Sequence, residues 1–322
     1  MDTVLITGGA GFLGSHLIRH LLHVRPDWKI RSFDLLGRQS EPGRLNDVFD
    51  QTNLEVWQGD VADRWAVRQA MRDARYVFHL AAENSTNPRE VGNNTPLRTN
   101  LAGMCTLLEA AREFHVEGLV AVSSPLVFAS SRELHPEKET PCPEGFAPIT
   151  RACAEWMARA YAEEYELPVS IVRPAQVYGT WQLPNQILPW MCWQTMQNRT
   201  GIISYNISQY WLHVEDFCSG VLAVLDQGKV GGIYHLAGDD EVDGIGMAEL
   251  VSKYLGKPCK ISLSPTARSS HLLLDDTASE LALAWVPEVE LEDGVEQAVR
   301  WYQDHAGWLQ NQWRRLYYST ER

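Results

Sequence analysis

At 322 residues, with 45% hydrophobic and 21% charged content, the chain can bury a large core, in one big domain or in two that share a sheet. Its 41 Asp and Glu against 28 Lys and Arg leave a net charge of −13, which argues against nucleic acid and anionic membrane surfaces as partners, because both draw affinity from clustered Lys and Arg. The longest strongly apolar stretch, Gly118–Ala129, is broken by Ser123, Ser124 and Pro125 and falls far short of the ~20 residues that a spanning helix needs.

Val4, Leu5 and Ile6 already read as a strand, so no signal peptide is expected ahead of the fold. Cys105, Cys142, Cys153, Cys192, Cys218 and Cys259 include no C-x-x-C pair. That usage predicts reduced, mostly buried thiols in a cytoplasmic protein. The sequons at Asn84, Asn198 and Asn206 then carry no meaning.

Short β-branched runs alternate with helical patterns through the first half. Val4–Thr7, Lys29–Phe33, Leu54–Gln58, Tyr76–Leu80, Leu119–Ser123 and Val169–Arg173 predict buried strands. Ser15–His23, Arg64–Asp73, Asn100–Phe114 and Arg151–Tyr165 predict the intervening helices. In Asn100–Phe114, for example, Leu101, Met104, Leu108 and Ala111 recur at three- and four-residue steps, which defines one helical face. Strands and helices alternating at this length imply a parallel sheet covered on both sides. Ser130–Glu144, rich in Pro and charge, predicts an irregular flap. After Gly179 aromatic residues crowd in, among them Trp181, Trp190, Trp193, Tyr205, Tyr210 and Trp211. His213–Leu225 and Ile233–Ala237 predict a helix and strand that rejoin the sheet, and Leu291–His305 a final helix before a short basic tail.

Gly8-Gly9-Ala10-Gly11-Phe12-Leu13-Gly14 falls between the first strand and the first helix. Glycine lets the backbone turn tightly and approach a pyrophosphate, whose charge then rests on the helix N-terminus. Asp34 follows Gly14 by twenty residues, at the end of the second strand. A carboxylate there can bond an adenosine ribose and repels a 2′-phosphate, which favours NAD over NADP; Arg38 nearby weakens that preference.

Together these residues resemble the extended short-chain dehydrogenase/reductase family, and within it the NAD-dependent epimerases and dehydratases of nucleotide sugars. Thr7–Gly14 with Ser15-His16 matches that family's opening, Gly59-Asp60-Val61 its adenine-contacting turn, and His79-Leu80-Ala81-Ala82 the strand end beside the cofactor. Asn100-Leu101-Ala102-Gly103 matches its central helix, and Val122-Ser123-Ser124 with Val127-Phe128 the strand bearing the catalytic Ser/Thr. Arg173-Pro174-Ala175-Gln176-Val177-Tyr178-Gly179 resembles the segment that passes the nicotinamide, and His213-Val214-Glu215-Asp216 and Val295–Tyr302 later landmarks. The resemblance implies an α/β fold: a Rossmann-type doubly wound parallel sheet with a smaller C-terminal substrate lobe. The NAD-binding domain is expected over residues 1–177 plus about 213–240, and the substrate lobe over 178–212 plus 241–322. Cofactor contacts are expected from Gly8, Gly11, Phe12, Leu13, Asp34, Asp60, Val61, Leu80, Ala81, Ala82, Asn100, Ser123, Arg151, Ala175 and Gln176, and catalysis from Ser124 and Arg151. A homodimer built on two helices per subunit is common in relatives and is expected here.

The chain departs from the pattern where the chemistry is done. Relatives use Tyr-x-x-x-Lys, one helical turn apart; the ammonium lowers the phenol's pKa and binds the nicotinamide ribose, so that tyrosinate takes a hydroxyl proton as hydride leaves. Aligned back from Arg159-Ala160-Tyr161, the tyrosine position holds Ala147 and the lysine position Arg151, and none of the 11 tyrosines has a lysine four residues later. Losing a positioned acid/base typically costs ~10²–10⁴-fold in rate. Pro125-Leu126 replaces the dehydratase Asp-Glu pair, and Gln209 takes the place of an arginine that grips pyrophosphate through bidentate bonds.

Other candidates have ordinary readings. Cys153 lies two residues past Arg151, on another helix face, and reads as packing. His16 and His20 have metal-ligand spacing but no third ligand, so no metal is expected. Glu83 could reach the nicotinamide side or stay solvated, and His213 reads as a structural hydrogen bonder. The aromatic cluster forms lobe core or walls an apolar pocket. Three functional readings follow: an NAD-dependent epimerase, dehydratase or reductase of a sugar or sugar nucleotide with non-standard acid/base catalysis; an atypical ketoreductase or isomerase of a hydrophobic secondary-metabolite intermediate; and a non-catalytic NAD-binding pseudoenzyme.

Overall fold

Strand β1 (Thr3–Thr7) is buried along its whole length, as a central strand covered on both faces must be. The computed structural model describes residues 2–37, 40–83 and 95–318, so Arg38 and Asn84 lie outside the described residues. After β1 come α1 (Phe12–Val24), β2 (Lys29–Asp34), β3 (Leu54–Gln58), α2 (Arg64–Met71) and β4 (Ala74–His79). Then follow α3 (Gly103–Glu113), β5 (Gly118–Val122), α4 (Phe146–Tyr165), β6 (Val169–Pro174), β7 (Gln176–Tyr178), α5 (Ile187–Met196) and β8 (Gly201–His213). The remainder is α6 (Val214–Gln227), β9 (Ile233–Leu236), β10 (Glu241–Val242), α7 (Gly244–Leu255), β11 (Ile261–Leu272), α8 (Thr277–Leu283), α9 (Leu291–Asp304) and α10 (Ala306–Tyr317).

Seven strands form one parallel sheet in the order β3-β2-β1-β4-β5-β6-β9. Successive side chains of a strand point to opposite faces. Val4 and Ile6 therefore join Leu17, Leu21, Phe217 and Val221 on one side, while Leu5 joins Val67, Leu107, Leu108 and Ala158 on the other. The strand order reverses between β1 and β4, and in such a sheet ligands bind in the crevice outside the C-terminal strand ends at that point. A second sheet is built on β8, which pairs with β7, β10 and β11. Beside it lies a third core in which Met191, Trp211, Met247, Val251, Val295, Tyr302 and Leu309 meet.

Four features differ from the sequence expectation. Helix α4 starts at Phe146 rather than Arg151, directly after Gly145 at φ +98; Pro148 falls in its first turn, where a missing N–H is tolerated. Leu97–Ala102 winds as a wider π turn ahead of α3. Ser130–Glu144 is tied down: Ser131 and His135 donate their N–H groups to His271 and Leu273, and buried Glu137 accepts from the N–H and hydroxyl of Ser279. The basic tail is helix α10, held by buried Leu309 and Gln312. Among the described residues no helix is long and apolar enough to cross a membrane.

Candidate functional site

A cleft of about 330 Å³ opens at the switch point between β1 and β4. Gly8 and Gly11 form its floor, Asp34, Leu35, Gly37 and Ser40 one end, and Gly59-Asp60-Val61 a side; Leu80, Ala81, Ala82 and Glu83 line the opposite wall. The glycine loop needs its glycines for space. Gly8 adopts φ +74, and a β-carbon on it would lie 2.8 Å from the Ala81 nitrogen; one on Gly14 would lie 2.2 Å from the Gly8 oxygen. Helix α1 has Gly11 as its N-cap with no side-chain cap, which leaves the N–H groups of its first turn to an anion.

Asp34 is 4% exposed and preorganised by the chain itself. One carboxylate oxygen accepts from the Ala10 N–H at 3.0 Å, and the other from the Leu36 N–H at 2.8 Å and from the Ser40 hydroxyl. Asp60 accepts from the Ala62 N–H and pairs with Arg98 at 2.8 Å. Buried Arg44 fastens the glycine loop to the second sheet's approach: it donates to Ala10 O at 3.1 Å and to Trp181 O at 2.8 Å, and burial lowers its pKa to about 10.

Toward β5 a second cavity, of about 20 Å³, is lined by His79, Ala81, Ala82, Asn100, Ser123, Arg151 and Glu155 among others. Arg151 Nη1 donates to Val122 O at 2.9 Å, and burial lowers its pKa to about 10. Asn100 clamps the backbone beyond β4, accepting from the Glu83 N–H at 2.8 Å and donating to Glu83 O at 3.0 Å and to Thr150 Oγ1 at 2.9 Å. Thr150 in turn donates to Ala147 O at 2.7 Å. Ser124 caps the short turn Pro125–Val127, its hydroxyl oxygen accepting from the Leu126 N–H at 3.2 Å. Behind this wall, Arg173 donates to both carboxylate oxygens of Glu155, with a shortest separation of 2.6 Å.

Gly8, Gly11, Asp34, Asp60, Val61, Leu80, Ala81 and Ala82 thus line the large cleft, with Asn100, Ser123 and Arg151 around the smaller cavity beside it. Phe12 and Leu13 pack against the sheet core rather than lining either space. Ala175 is buried, its N–H bonded to Leu236 O, and Gln176 bonds Val177 O. Neither they nor Ser124 line these two cavities. Sequence reasoning missed Ser40, Thr95, Thr99, Asn185, Leu316 and Tyr317, which complete the cleft. Leu309, Trp313 and Leu316 recur at four- and three-residue steps, and that periodicity was the available signal for α10.

Three histidines around the site make structural hydrogen bonds. His16 bonds Thr180 O at 3.1 Å, and His79 bonds the Thr7 hydroxyl at 2.7 Å. His213 Nδ1 accepts from the Glu215 N–H, capping α6. Trp181 packs with Trp301 and Trp308 at ring separations of 4.8 and 5.3 Å, so this part of the aromatic cluster joins α9 and α10.

Burial depresses His16, His79 and His235 to about 3, so each is neutral in the folded protein. Below the unfolded value of about 6.5 the unfolded chain binds protons that the fold refuses, and stability is lost as pH falls from about 6.5 toward 3. Asp276, raised to about 6 by burial, acts in the opposite sense over part of that window. Three imidazoles outweigh one carboxyl, so the melting temperature is expected to fall steadily below about pH 6.5. A melting temperature unchanged between pH 7 and 4 would contradict this.

A parallel sheet with a glycine turn at its switch point, an acidic residue ending the second strand and a cleft of this shape define a dinucleotide-binding α/β protein. The family model described as NAD dependent epimerase/dehydratase family matches residues 4–237. The chain belongs to that family. It is 29% identical over 313 residues to a dTDP-glucose 4,6-dehydratase of Streptomyces antibioticus, covering 95% of this chain and 93% of that protein. A low-salt glycan biosynthesis protein of Haloferax volcanii is also 29% identical, with 93% and 98% covered. Among solved structures, a Streptomyces venezuelae dTDP-glucose 4,6-dehydratase with NAD bound superposes with a TM-score of 0.89 at 28% identity, covering 96% of this chain and 99% of that one. The Bacillus anthracis dTDP-glucose 4,6-dehydratase in complex with NAD gives a TM-score of 0.88 at 26% identity, covering 97% and 100%.

The residues present fit the family's cofactor. The glycine turn leaves no room for side chains where a pyrophosphate must approach, and the uncapped α1 N-terminus and the Asp34 carboxylate supply the expected anion and ribose partners.

Proposed function

We propose that this chain is an NAD-dependent epimerase or dehydratase of a sugar nucleotide that works without a tyrosine acid/base. The observation that carries the reading is the cleft that brings Gly8, Gly11, Asp34 and Asp60 together at the sheet's switch point. Residues 1–177 with about 213–240 form most of the cofactor cleft in this reading, and 178–212 with 241–322 supply the substrate side, from which Asn185, Leu316 and Tyr317 reach back to line the cleft. Bound NAD supplies a hydride acceptor. Asp34 holds the adenosine ribose, Arg151 keeps positive charge near the nicotinamide ribose, and Ser124 bonds the reacting substrate oxygen. Ala147 brings no phenol, and the tyrosine that does line the cleft, Tyr317, lies at its adenosine end. Water then carries the proton, at a cost in rate of ~10²–10⁴-fold relative to a positioned acid/base. The protein is cytoplasmic in this reading. It forms a homodimer that covers the exposed Ile149 and Trp156 of α4, which lie seven residues apart and so on one face.

One observation favours a second reading, a reductase or isomerase of a small molecule without a diphosphate. Gln209 replaces the pyrophosphate-gripping arginine, and next to it burial and then Glu241, Asp276, Asp275 and Asp239 raise the Tyr210 pKa. Glu241 stands opposite Tyr210 in the strand pairing, and a carboxylate there opposes a dianionic diphosphate. Thermal denaturation separates the two. NAD is expected to raise the melting temperature, and at least one sugar nucleotide to raise it further. A panel of sugar nucleotides that leaves the NAD-bound value unmoved would overturn the first reading.

A further inference from the structure

The end of helix α10 shares the cleft with the glycine loop. Leu316 and Tyr317 line the same space as Leu35, Gly37 and Ser40, although some 280 residues separate them in sequence. They are held there by a specific fastening. Arg315 donates through Nη2 to the carbonyls of Gly37 and Ser40, both at 2.9 Å, and pairs through Nη1 with Glu41 at 2.7 Å. Gln312, one helical turn earlier and buried, donates to the same carboxylate oxygen as Arg315 does, Glu41 Oε2, at 2.7 Å. Trp313 packs on Tyr317 at 4.3 Å between ring centroids. Glu41 in turn gives its N–H to Ala10 O, in the glycine loop. A continuous set of bonds therefore runs from α10 through the segment after β2 to the turn that receives the pyrophosphate.

We propose that α10 is part of the cofactor site: Leu316 and Tyr317 wall its adenosine end, and Arg315 is the positioning residue that fastens this wall to the segment following Asp34. NAD then leaves only when the Arg315–Glu41 bond and its two carbonyl bonds open. A wall built from a separate element encloses more of a ligand than the sheet edge alone, and enclosure slows release. The inference rests on the NAD reading above.

The test is NAD binding by calorimetry and NAD release by stopped flow, on the full chain as wild type, Tyr317→Ala, Tyr317→Phe and Arg315→Ala. Removing an aromatic contact to a base weakens binding on the order of tenfold, and Tyr317→Ala is expected to raise the NAD dissociation constant by about that factor, mostly through release. Tyr317→Phe keeps the wall and is expected to recover most of the affinity. The Arg315–Glu41 pair is partly exposed, so salt should speed NAD release in the wild type and have a smaller effect in Arg315→Ala. Tyr317 is 42% exposed at a helix end and packs on Trp313, so the melting temperature of NAD-free Tyr317→Ala should fall by only a few degrees. Wild-type binding with all three variants releasing NAD at the wild-type rate would overturn the inference alone. Failure of the wild type to bind NAD would overturn the cofactor reading beneath it.

Discussion

Glu155→Ala is expected to destabilise the protein by about 3–5 kcal/mol, because it strands a buried cation. Arg173 is fully buried and Glu155 is 3% exposed. The guanidinium gives Nε and Nη2 to the carboxylate, and Nη1 to Glu137 O at 3.2 Å and to His235 Nε2 at 3.3 Å. His235 Nδ1 bonds Asp275 O at 3.0 Å, which fixes that nitrogen as the donor and leaves Nε2 to accept from Arg173. The Phe128 ring lies 4.8 Å from the guanidinium carbon. None of the remaining partners is anionic, so removing the carboxylate leaves the charge uncompensated in a low-dielectric site. The strain would be felt near the chemistry, since Glu155 follows Arg151 by one helical turn and Arg173 immediately precedes the Pro174–Gln176 crossing. Replacing both partners together by apolar residues is expected to cost much less. Urea denaturation checks both, and a loss below about 1 kcal/mol for Glu155→Ala would contradict the assignment.

Gly14→Ala is expected to weaken NAD binding by roughly a hundredfold, the factor that losing about 2.8 kcal/mol of pyrophosphate contacts carries. The added methyl would meet backbone on two sides, the Gly8 oxygen at 2.2 Å and the Gly9 α-carbon at 2.7 Å. No flexible side chain can yield there, so α1 must move off the loop that it supports. Gly8 is itself held in the turn, its N–H donating to Phe33 O at 2.9 Å and its carbonyl accepting from the Gly11 N–H at 3.0 Å. Calorimetry with NAD measures the effect, and affinity within threefold of wild type would show that the loop does not hold the pyrophosphate. Circular dichroism separates loss of the site from loss of the fold.

The parts of this molecule written in local patterns were legible in the sequence. Gly8, Gly11, Gly14 and Asp34 occupy one turn and one strand end, and their place between a strand and a helix implied a dinucleotide cleft; β1 through β6 followed from short β-branched runs. The parts that depend on distant partners were not. Arg44 has no motif, and only the fold reveals that it binds Ala10 O and Trp181 O across the cofactor loop. Charge and proline made Ser130–Glu144 look like a free flap, whereas the segment is held by His271, Leu273 and Ser279. The basic residues after His305 masked an amphipathic helix whose last turn closes the cleft. Ala147 and Arg151 were read from the sequence as standing where relatives carry tyrosine and lysine. Their consequence was not, because a proton route depends on what stands around the substrate.

Under the proposed function, hydride chemistry on a sugar nucleotide proceeds with alanine in the tyrosine position. Single-turnover mixing of NAD-loaded protein with sugar nucleotides, followed at the absorbance band of reduced nicotinamide, tests it most directly. A transient rise is expected for at least one sugar nucleotide that binds, and none in Gly14→Ala. A sugar nucleotide bound beside NAD with no reduction of the nicotinamide, at any pH where the protein is folded, would contradict it.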